Sequence, residues 1–319
     1  MAAGPIQATT ASFLIGVNLP WLSYGGDFGA NAWRPHGGLS TRDLGALDRT
    51  LATARAAGAE VVRWFVFCDG RAGFTVGQDG QPVALQEVVL DDMRAALGAL
   101  GRHDLRMVPV LFDFTWADPT RVVNGVQTGG RGPVLQDAMA RHQLLRAVDT
   151  LLLAFADHPG IALWDLCNEP EWLSAPFRRG ATRLSPRRVR QWLSELTLHV
   201  RWHATQPITV GLASACGLPL CRDLGLDLLQ VHWYDHLDAR APLDVLPRVP
   251  WSEAPLLLGE FPSRGSAQAA ELLLRRARAA GFSGAWAWSL LAEDSASDGE
   301  AVLQALRSIT GGSTLAVHR

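Results

Sequence analysis

Short apolar segments alternate with longer amphipathic segments along the whole chain. Runs such as Val61–Phe67 and Pro255–Phe261 are apolar almost throughout, which is typical of parallel strands whose two faces are both buried. The pattern therefore predicts eight strands: Phe13–Asn18, Val61–Phe67, Leu105–Phe112, Gly160–Cys167, Ile208–Gly211, Leu226–His232, Pro255–Phe261 and Gly284–Trp288.

Segments with a helical period of apolar residues separate these strands. Ser40 with Thr41, Ser185 and Ser266 are the predicted starts of three helices, because Ser and Thr side chains cap free backbone amides. The predicted helices are Thr41–Ala57, Leu85–Leu100, Leu135–Asp157, Pro186–Thr205, Leu218–Leu224, Leu243–Val249, Ser266–Ala280 and Gly299–Ile309.

The alternation of β and α segments predicts an α/β fold with a parallel sheet. Eight β/α units without a Pro- or Ser-rich linker favour a single (β/α)₈ TIM barrel over residues 1–319, with residues 1–12 as a short N-terminal extension. An open, doubly wound sheet is the alternative. Such a sheet is expected to carry G-x-G-x-x-G after an early strand, whereas the first predicted strand continues into NLPWLSYGG.

Composition excludes several classes of function. All 29 basic residues are Arg, so a phosphate-loop lysine, a Schiff-base lysine and a pyridoxal phosphate anchor are absent. The formal net charge of −2 argues against a nucleic-acid partner or a basic membrane-binding surface. The four Cys residues form no C-x-x-C pair. Met1–Thr10 lacks the features of a signal peptide, which predicts a cytoplasmic protein unless the N-terminus has been trimmed.

Two carboxylates follow strands on opposite sides of the predicted barrel. Glu169 lies in Asn168-Glu169-Pro170 after the fourth strand, and Glu260 lies at the end of the seventh strand. Active sites of such barrels lie where the strands end, so both side chains are expected at one opening. Cleavage of a glycosidic bond needs one protonated and one ionised carboxyl group facing each other across a cleft.

Other strand ends supply candidate supporting groups. Arg63, near the end of the second strand, is expected to keep Glu260 ionised. His232 and Tyr234 follow the sixth strand and are expected to form hydrogen bonds within the same site. Asn168 is expected to hold the sugar hydroxyl next to the reacting carbon.

This set of residues resembles the clan A glycoside hydrolases, most closely the family 5 cellulase and mannanase group. The family pattern is an Arg after strand two, Asn-Glu-Pro after strand four, His-x-Tyr after strand six, a Glu ending strand seven and a Trp ending strand eight. Its counterparts here are Arg63, Asn168-Glu169-Pro170, His232-Trp233-Tyr234, Glu260 and Trp288.

The resemblance implies that Glu169 is the acid/base, that Glu260 is the nucleophile, and that a β-glucoside or β-mannoside is hydrolysed with retention of configuration. One position departs from the pattern, because Asp113 stands where many family 5 enzymes place a His after strand three. This departure keeps open an exo-acting clan A enzyme on a β-galactoside, xylan or fucoside. A catalytically silent carbohydrate-binding barrel is a separate alternative.

The 12 Trp residues include several beyond strand ends, where an indole can stack on the apolar face of a sugar. Trp288 is the predicted floor of the reacting subsite, and Trp21, Trp116 and Trp172 are further candidates. The long segments Leu19–Leu39, Phe114–Val134 and Pro170–Ser185 are expected to wall the cleft.

His232, Asp235 and His236 could also suggest a metal site, but these residues do not supply three ligands at a spacing typical of metal sites. The sequence therefore predicts a monomer or weak homo-oligomer that acts on a carbohydrate substrate. No metal, cofactor, nucleic-acid or membrane partner is expected.

Overall fold

Eight parallel strands close into a barrel in the computed structural model, which describes residues 13–78, 80–237, 240–248 and 254–310. The predicted extension 1–12 lies outside the described residues. In chain order the strands are β1 (Leu14–Asn18), β2 (Val61–Phe65), β3 (Phe74–Val76), β4 (Pro82–Leu85), β5 (Arg106–Asp113), β6 (Arg121–Val123), β7 (Val126–Thr128), β8 (Trp164–Asn168), β9 (Ile208–Leu212), β10 (Leu229–His232), β11 (Leu256–Pro262) and β12 (Gly284–Trp288).

The predicted (β/α)₈ barrel is confirmed. Its spatial order is β1, β2, β5, β8, β9, β10, β11 and β12, and β12 closes on β1 with Gly284 opposite Leu14. This closure excludes the open, doubly wound alternative. Two hairpins, β3–β4 and β6–β7, were not predicted. The β6–β7 turn is Asn124-Gly125, with both residues at positive φ, and Asn-Gly is a strong hairpin signal.

Eight α-helices surround the barrel in the described part of the chain. The helix predicted at Leu243–Val249 is wrong: the described residues form only a 3₁₀ turn at Leu246–Arg248. Pro247 explains this, because proline lacks an amide hydrogen and clashes with the preceding helical turn. The helices are α1 (Gly45–Ala56), α2 (Val88–Gly101), α3 (Gly132–Gln136), α4 (Ala138–Phe155), α5 (Pro186–His203), α6 (Leu218–Cys221), α7 (Ala270–Ala280) and α8 (Gly299–Thr310).

The predicted helix starts have mixed outcomes. Ser185 caps α5, because its side chain accepts a hydrogen bond from the Arg188 amide. Ser40 and Thr41 do not start α1, since the Ser40 hydroxyl instead donates to Asp92 at 2.6 Å. Ser266 lies before α7 and does not cap it. Helices α1 and α7 begin at Gly45 and Ala270, four or five residues after the serines that local sequence suggests as their starts.

The barrel interior is layered. Alternate residues of a strand face the same side, so β2 places Val61, Arg63 and Phe65 one above another. At the level of Val61, a separate apolar cluster fills the end where the strands begin. Gly16 makes room there, because a Cβ at this position would lie 2.5 Å from the Trp286 ring. A polar layer containing Arg63 lies above this apolar cluster.

Among the described residues, no helix combines the length and apolarity needed to cross a membrane.

Candidate active site

A cavity of about 460 Å³ opens at the end of the barrel where the strands finish. It receives side chains from the strand ends and from all three long segments predicted to wall a cleft. Its lining includes Trp21, Tyr24, Phe65, Asp113, Phe114, Thr115, Asn168, Glu169, Trp172, Tyr234, His236, Glu260 and Trp288.

Glu169 occupies the first position after β8 in a left-handed backbone conformation, with φ 46° and ψ 49°. This conformation costs a residue other than glycine about 1–3 kcal/mol, and such strain tends to collect at functional sites. The carboxylate is held from both sides. Its Oε2 accepts a hydrogen bond from Trp172 Nε1 at 2.8 Å, and its Oε1 lies 2.9 Å from His232 Nδ1.

Glu260 lies in β11 and faces Glu169 across the cavity. Arg63 Nη1 is 2.5 Å from its Oε1, and the Tyr234 hydroxyl donates to its Oε2 at 3.1 Å. His232 lies between the two carboxylates, with Nδ1 at 3.4 Å from Glu260 Oε2. One oxygen of Glu169, one oxygen of Glu260 and a ring nitrogen of His232 all lie within 4.8 Å of one another. We call these three residues the carboxylate pair site.

Arg63 is fully buried beneath this site and uses all three guanidinium nitrogens. Nε pairs with Asp165 at 2.8 Å and Nη2 donates to Asn168 Oδ1 at 2.8 Å, while Nη1 also donates to Asn18 Oδ1 at 3.1 Å. A buried arginine is tolerable only when carboxylates and acceptors replace water around it. This network fixes the guanidinium under Glu260.

Gly211 in β9 keeps space open for this network. A Cβ at this position would lie 2.6 Å from Gln230 Nε2, 2.8 Å from Arg63 Nη2 and 3.0 Å from His232 Nε2. Any larger residue would therefore push against the buried arginine and the site histidine together.

The environment separates the two carboxyl groups electrostatically. Burial raises the pKa of Glu169. Burial also raises the pKa of Glu260, but Arg63 opposes that rise, and of the two carboxyl groups only Glu260 touches the guanidinium. Burial lowers the pKa of His232 to about 4, so this imidazole is neutral at pH 7. The arrangement favours an ionised Glu260 opposite a protonated Glu169.

Known proteins share this architecture. No protein-family model matches the chain. The chain is 24% identical to a mannan endo-1,4-β-mannosidase from Mytilus edulis, over 87% of this chain and 83% of that protein. An endo-1,4-β-mannanase from Eisenia fetida superimposes with a TM-score of 0.76 at 20% identity, covering 94% of this chain and 91% of that one. A β-1,4-mannanase from Aplysia kurodai gives 0.77 at 19% identity, covering 95% and 93%. The chain is similar to clan A, family 5 glycoside hydrolases. The resemblance predicted from the sequence is thereby confirmed.

Asp113, the departure from the family 5 pattern, contacts Asn168 in this family 5-like barrel. Asn168 Nδ2 donates to Asp113 Oδ2 at 2.8 Å, and the Thr115 amide donates to Oδ1, also at 2.8 Å. Burial raises the pKa of Asp113 to about 6. With Arg63 on its oxygen and Asp113 on its nitrogen, the Asn168 amide is held in one orientation.

Of the four tryptophans predicted to contact a sugar, three line the cavity and one is buried in the core. Trp21, Trp172 and Trp288 line the cavity. The predicted sugar contact is wrong for Trp116, because only 1% of this residue is exposed and its ring packs edge-on against Phe112 at 4.9 Å. The 3₁₀ turn that follows β5 points Trp116 into the core, where it cannot reach a ligand.

Some residues of this region were not predicted from the sequence. Asp165 is a charged residue inside an otherwise apolar predicted strand, and such a residue indicates a buried partner of opposite charge, which is Arg63. Tyr24 lines the cavity and packs edge-on against Trp21 at 4.8 Å, and Asp294 accepts a hydrogen bond from Trp288 Nε1 at 2.8 Å. These two lie in loops whose paths no local pattern specifies.

The grouping of His232 with Asp235 and His236 is not found among the described residues. His232 lies with Glu169 and Glu260 instead. Asp235 accepts a hydrogen bond from the Ser266 hydroxyl at 2.6 Å. The His236 ring stacks on Tyr234 at the cavity wall.

Proposed function

We propose that this glycoside hydrolase cleaves β-1,4-linked mannosides by double displacement with retention of configuration. The observation that carries the mechanism is the spacing of Glu169 and Glu260, which have carboxylate oxygens within 4.8 Å of each other. Retaining pairs are about 5–5.5 Å apart, whereas inverting pairs need about 6.5–9.5 Å to admit a water molecule. The short spacing favours direct attack by one carboxylate.

In the first step, an oxygen of ionised Glu260 attacks the anomeric carbon and forms a glycosyl ester. The bond to the leaving oxygen breaks as Glu169 transfers its proton to that oxygen. Arg63 and Tyr234 hold Glu260 in position. In the second step, Glu169 removes a proton from water, the resulting oxygen attacks the anomeric carbon, and Glu260 leaves as a carboxylate.

Asn168 is proposed to contact the sugar hydroxyl beside the reacting carbon. A side-chain amide has two N–H bonds, of which one points to Asp113. The other is proposed to donate to the sugar, where hydrogen bonds strengthen in the transition state. The faces of Trp288, Trp21 and Trp172 are proposed as stacking surfaces for sugar rings.

The choice of mannan rests on the relatives. The curated relative from Mytilus edulis and the structural neighbours from Eisenia fetida and Aplysia kurodai are all named as enzymes acting on β-1,4-mannan. Endo-action is proposed on the same ground.

The test combines a substrate screen with active-site labelling. Nitrophenyl glycosides, β-mannan, β-glucan and xylan are compared as substrates, and β-mannan is expected to be cleaved fastest, with internal cleavage products. Preference for another polymer would reject the proposed substrate. Absence of turnover with every sugar would favour the carbohydrate-binding barrel.

A 2-deoxy-2-fluoro mannoside with a good leaving group is expected to label Glu260, as read by peptide mass spectrometry. A label on Glu169, or an active enzyme without a label, contradicts the assigned roles. Proton NMR of the first product should show the β-anomer, and the α-anomer as first product would indicate inversion.

A further inference from the structure

A second group of potential ligands lies outside the barrel, between helices α4 and α5. Asp149 of α4 faces His199 and His203 of α5, and one ligand atom from each residue lies within 4.8 Å of the other two. The Nε2 atoms of His199 and His203 are 2.7 Å and 3.1 Å from the same oxygen, Asp149 Oδ1. We call these three residues the α4–α5 cluster.

The cluster is remote from the cavity, and none of its residues lines it. Helix α5 begins at Pro186, on the side of the barrel where β8 ends, and finishes at His203, shortly before β9 begins. Its last turns therefore lie at the end where the strands begin, opposite the cavity.

The spacing of the two histidines suits chelation. Residues four apart on a helix lie on one face, and a His pair at this spacing binds zinc in helical metal sites. Both side chains are partly exposed, His199 to 18% and His203 to 15%, so an ion can reach them. Asp149, at 12%, supplies a carboxylate from the neighbouring helix.

His199 carries the most specific indication. Its Nε2 is buried and lies 2.7 Å from Asp149 Oδ1. Its imidazole also has a backbone hydrogen bond with Leu145. Such a bond on the other side of the ring commonly orients a metal-ligating histidine. Nε2 therefore faces the shared oxygen in an oriented ring.

The donor set selects the class of ion. Two imidazole nitrogens and one carboxylate oxygen suit Zn²⁺ and neighbouring first-row transition metals, whereas Mg²⁺ and Ca²⁺ prefer oxygen ligands. The C-terminus of α5 carries partial negative charge, which also favours a cation. Arg146 occupies the other oxygen of Asp149, with Nη1 2.9 Å from Oδ2, and leaves Oδ1 to the histidines.

We propose that Asp149, His199 and His203 bind one Zn²⁺ ion, or a chemically similar divalent transition metal, that joins α4 to α5. Three protein ligands leave one tetrahedral position for water. The ion stabilises the folded chain by connecting two helices that are far apart in sequence. This site is independent of the glycosidase chemistry.

The test measures zinc directly on the full chain. After removal of metal with a chelator and re-addition of Zn²⁺, the wild-type protein should retain one zinc per chain and unfold at a higher temperature, because an ion bound only to the folded state stabilises it. His199→Ala and His203→Ala should each weaken zinc binding by about tenfold or more and abolish the thermal shift. His142→Ala, an exposed histidine on α4, is the matched control and should behave as wild type.

A second pair of measurements locates the ion. Glu169→Gln alters the carboxylate pair site and is expected to keep the zinc; loss of zinc there, with retention in His203→Ala, would overturn the proposal. In the unmodified protein, NMR of the imidazole resonances during a Zn²⁺ titration should shift His199 and His203 but not His142. Absence of those shifts, or wild-type protein that binds no zinc, also overturns it.

Discussion

The carboxylate pair site and the α4–α5 cluster use the same residue types in opposite proportions. The first places one histidine between two carboxylates over a fully buried arginine, and the second places two histidines around one carboxylate beside an exposed arginine. In the first site the guanidinium makes the two carboxylates inequivalent, which suits proton transfer. In the second, imidazole nitrogens converge on one oxygen, which suits ion binding. The ratio of imidazole to carboxylate groups, together with the burial and position of the arginine, sets the chemistry proposed for each.

Removal of the proposed nucleophile is the strongest test of this contrast. Glu260→Gln leaves no anion to attack the anomeric carbon, so kcat on a mannoside should fall roughly 10⁴-fold or more, as for removal of other catalytic nucleophiles. Glu300→Gln, which changes an exposed carboxylate on α8, should leave kcat unchanged. Steady-state kinetics on both variants measures this, and an active Glu260→Gln enzyme would contradict the mechanism.

Removal of the proposed acid/base should have the next largest effect. Glu169→Gln should lower kcat by roughly 10²–10⁴-fold on substrates with poor leaving groups and much less on dinitrophenyl glycosides, which leave without a proton. The pH dependence of the rate gives a second test of this role. In the proposed mechanism, activity requires protonated Glu169 and ionised Glu260, so the rate should fall as pH rises through the raised pKa of Glu169. The variant should lose this alkaline limb; an unchanged limb would assign it to another group.

The two arginines should differ in their effect on stability. Arg63→Met leaves Asp165 and Glu260 buried without a cation, which should lower the free energy of unfolding by about 3–5 kcal/mol. Arg146→Met removes an arginine whose side chain is 70% exposed, and should cost about 0–1 kcal/mol. Urea denaturation of both variants tests the contrast. Equal losses would mean that burial of the arginine is not what distinguishes the sites.

A smaller effect is expected at the departure from the family pattern. Asp113→Ala removes the acceptor that orients Asn168, and one hydrogen bond to a charged group is worth about 1.5–3 kcal/mol. The kcat/KM should therefore fall by roughly 10- to 150-fold. Product analysis should still show a mannoside preference. A change of preferred sugar would instead make Asp113 a specificity residue and support the alternative exo-acting enzymes.

The barrel and the cavity differ in how far the sequence could predict them. Strand and helix periods specify the barrel, and its topology brings Glu169 and Glu260 to one opening. The fate of Trp116 could not be predicted, because it depends on the 3₁₀ turn after β5 rather than on its place in the sequence. The α4–α5 cluster was also missed. The spacing of His199 and His203 was visible, but Asp149 joins them only through the packing of two helices.

Gly211 sets a limit on redesign of the enzyme. A side chain at this position would collide with Arg63, Gln230 and His232 together. A substitution there would therefore disturb the positions of all three buried polar residues beneath the cavity. An engineer who wishes to move the pH optimum has more freedom at the rim, where Trp172 and Tyr234 each contact one carboxylate separately. The buried polar residues beneath the cavity therefore have to be redesigned together, whereas residues at its opening can be substituted individually.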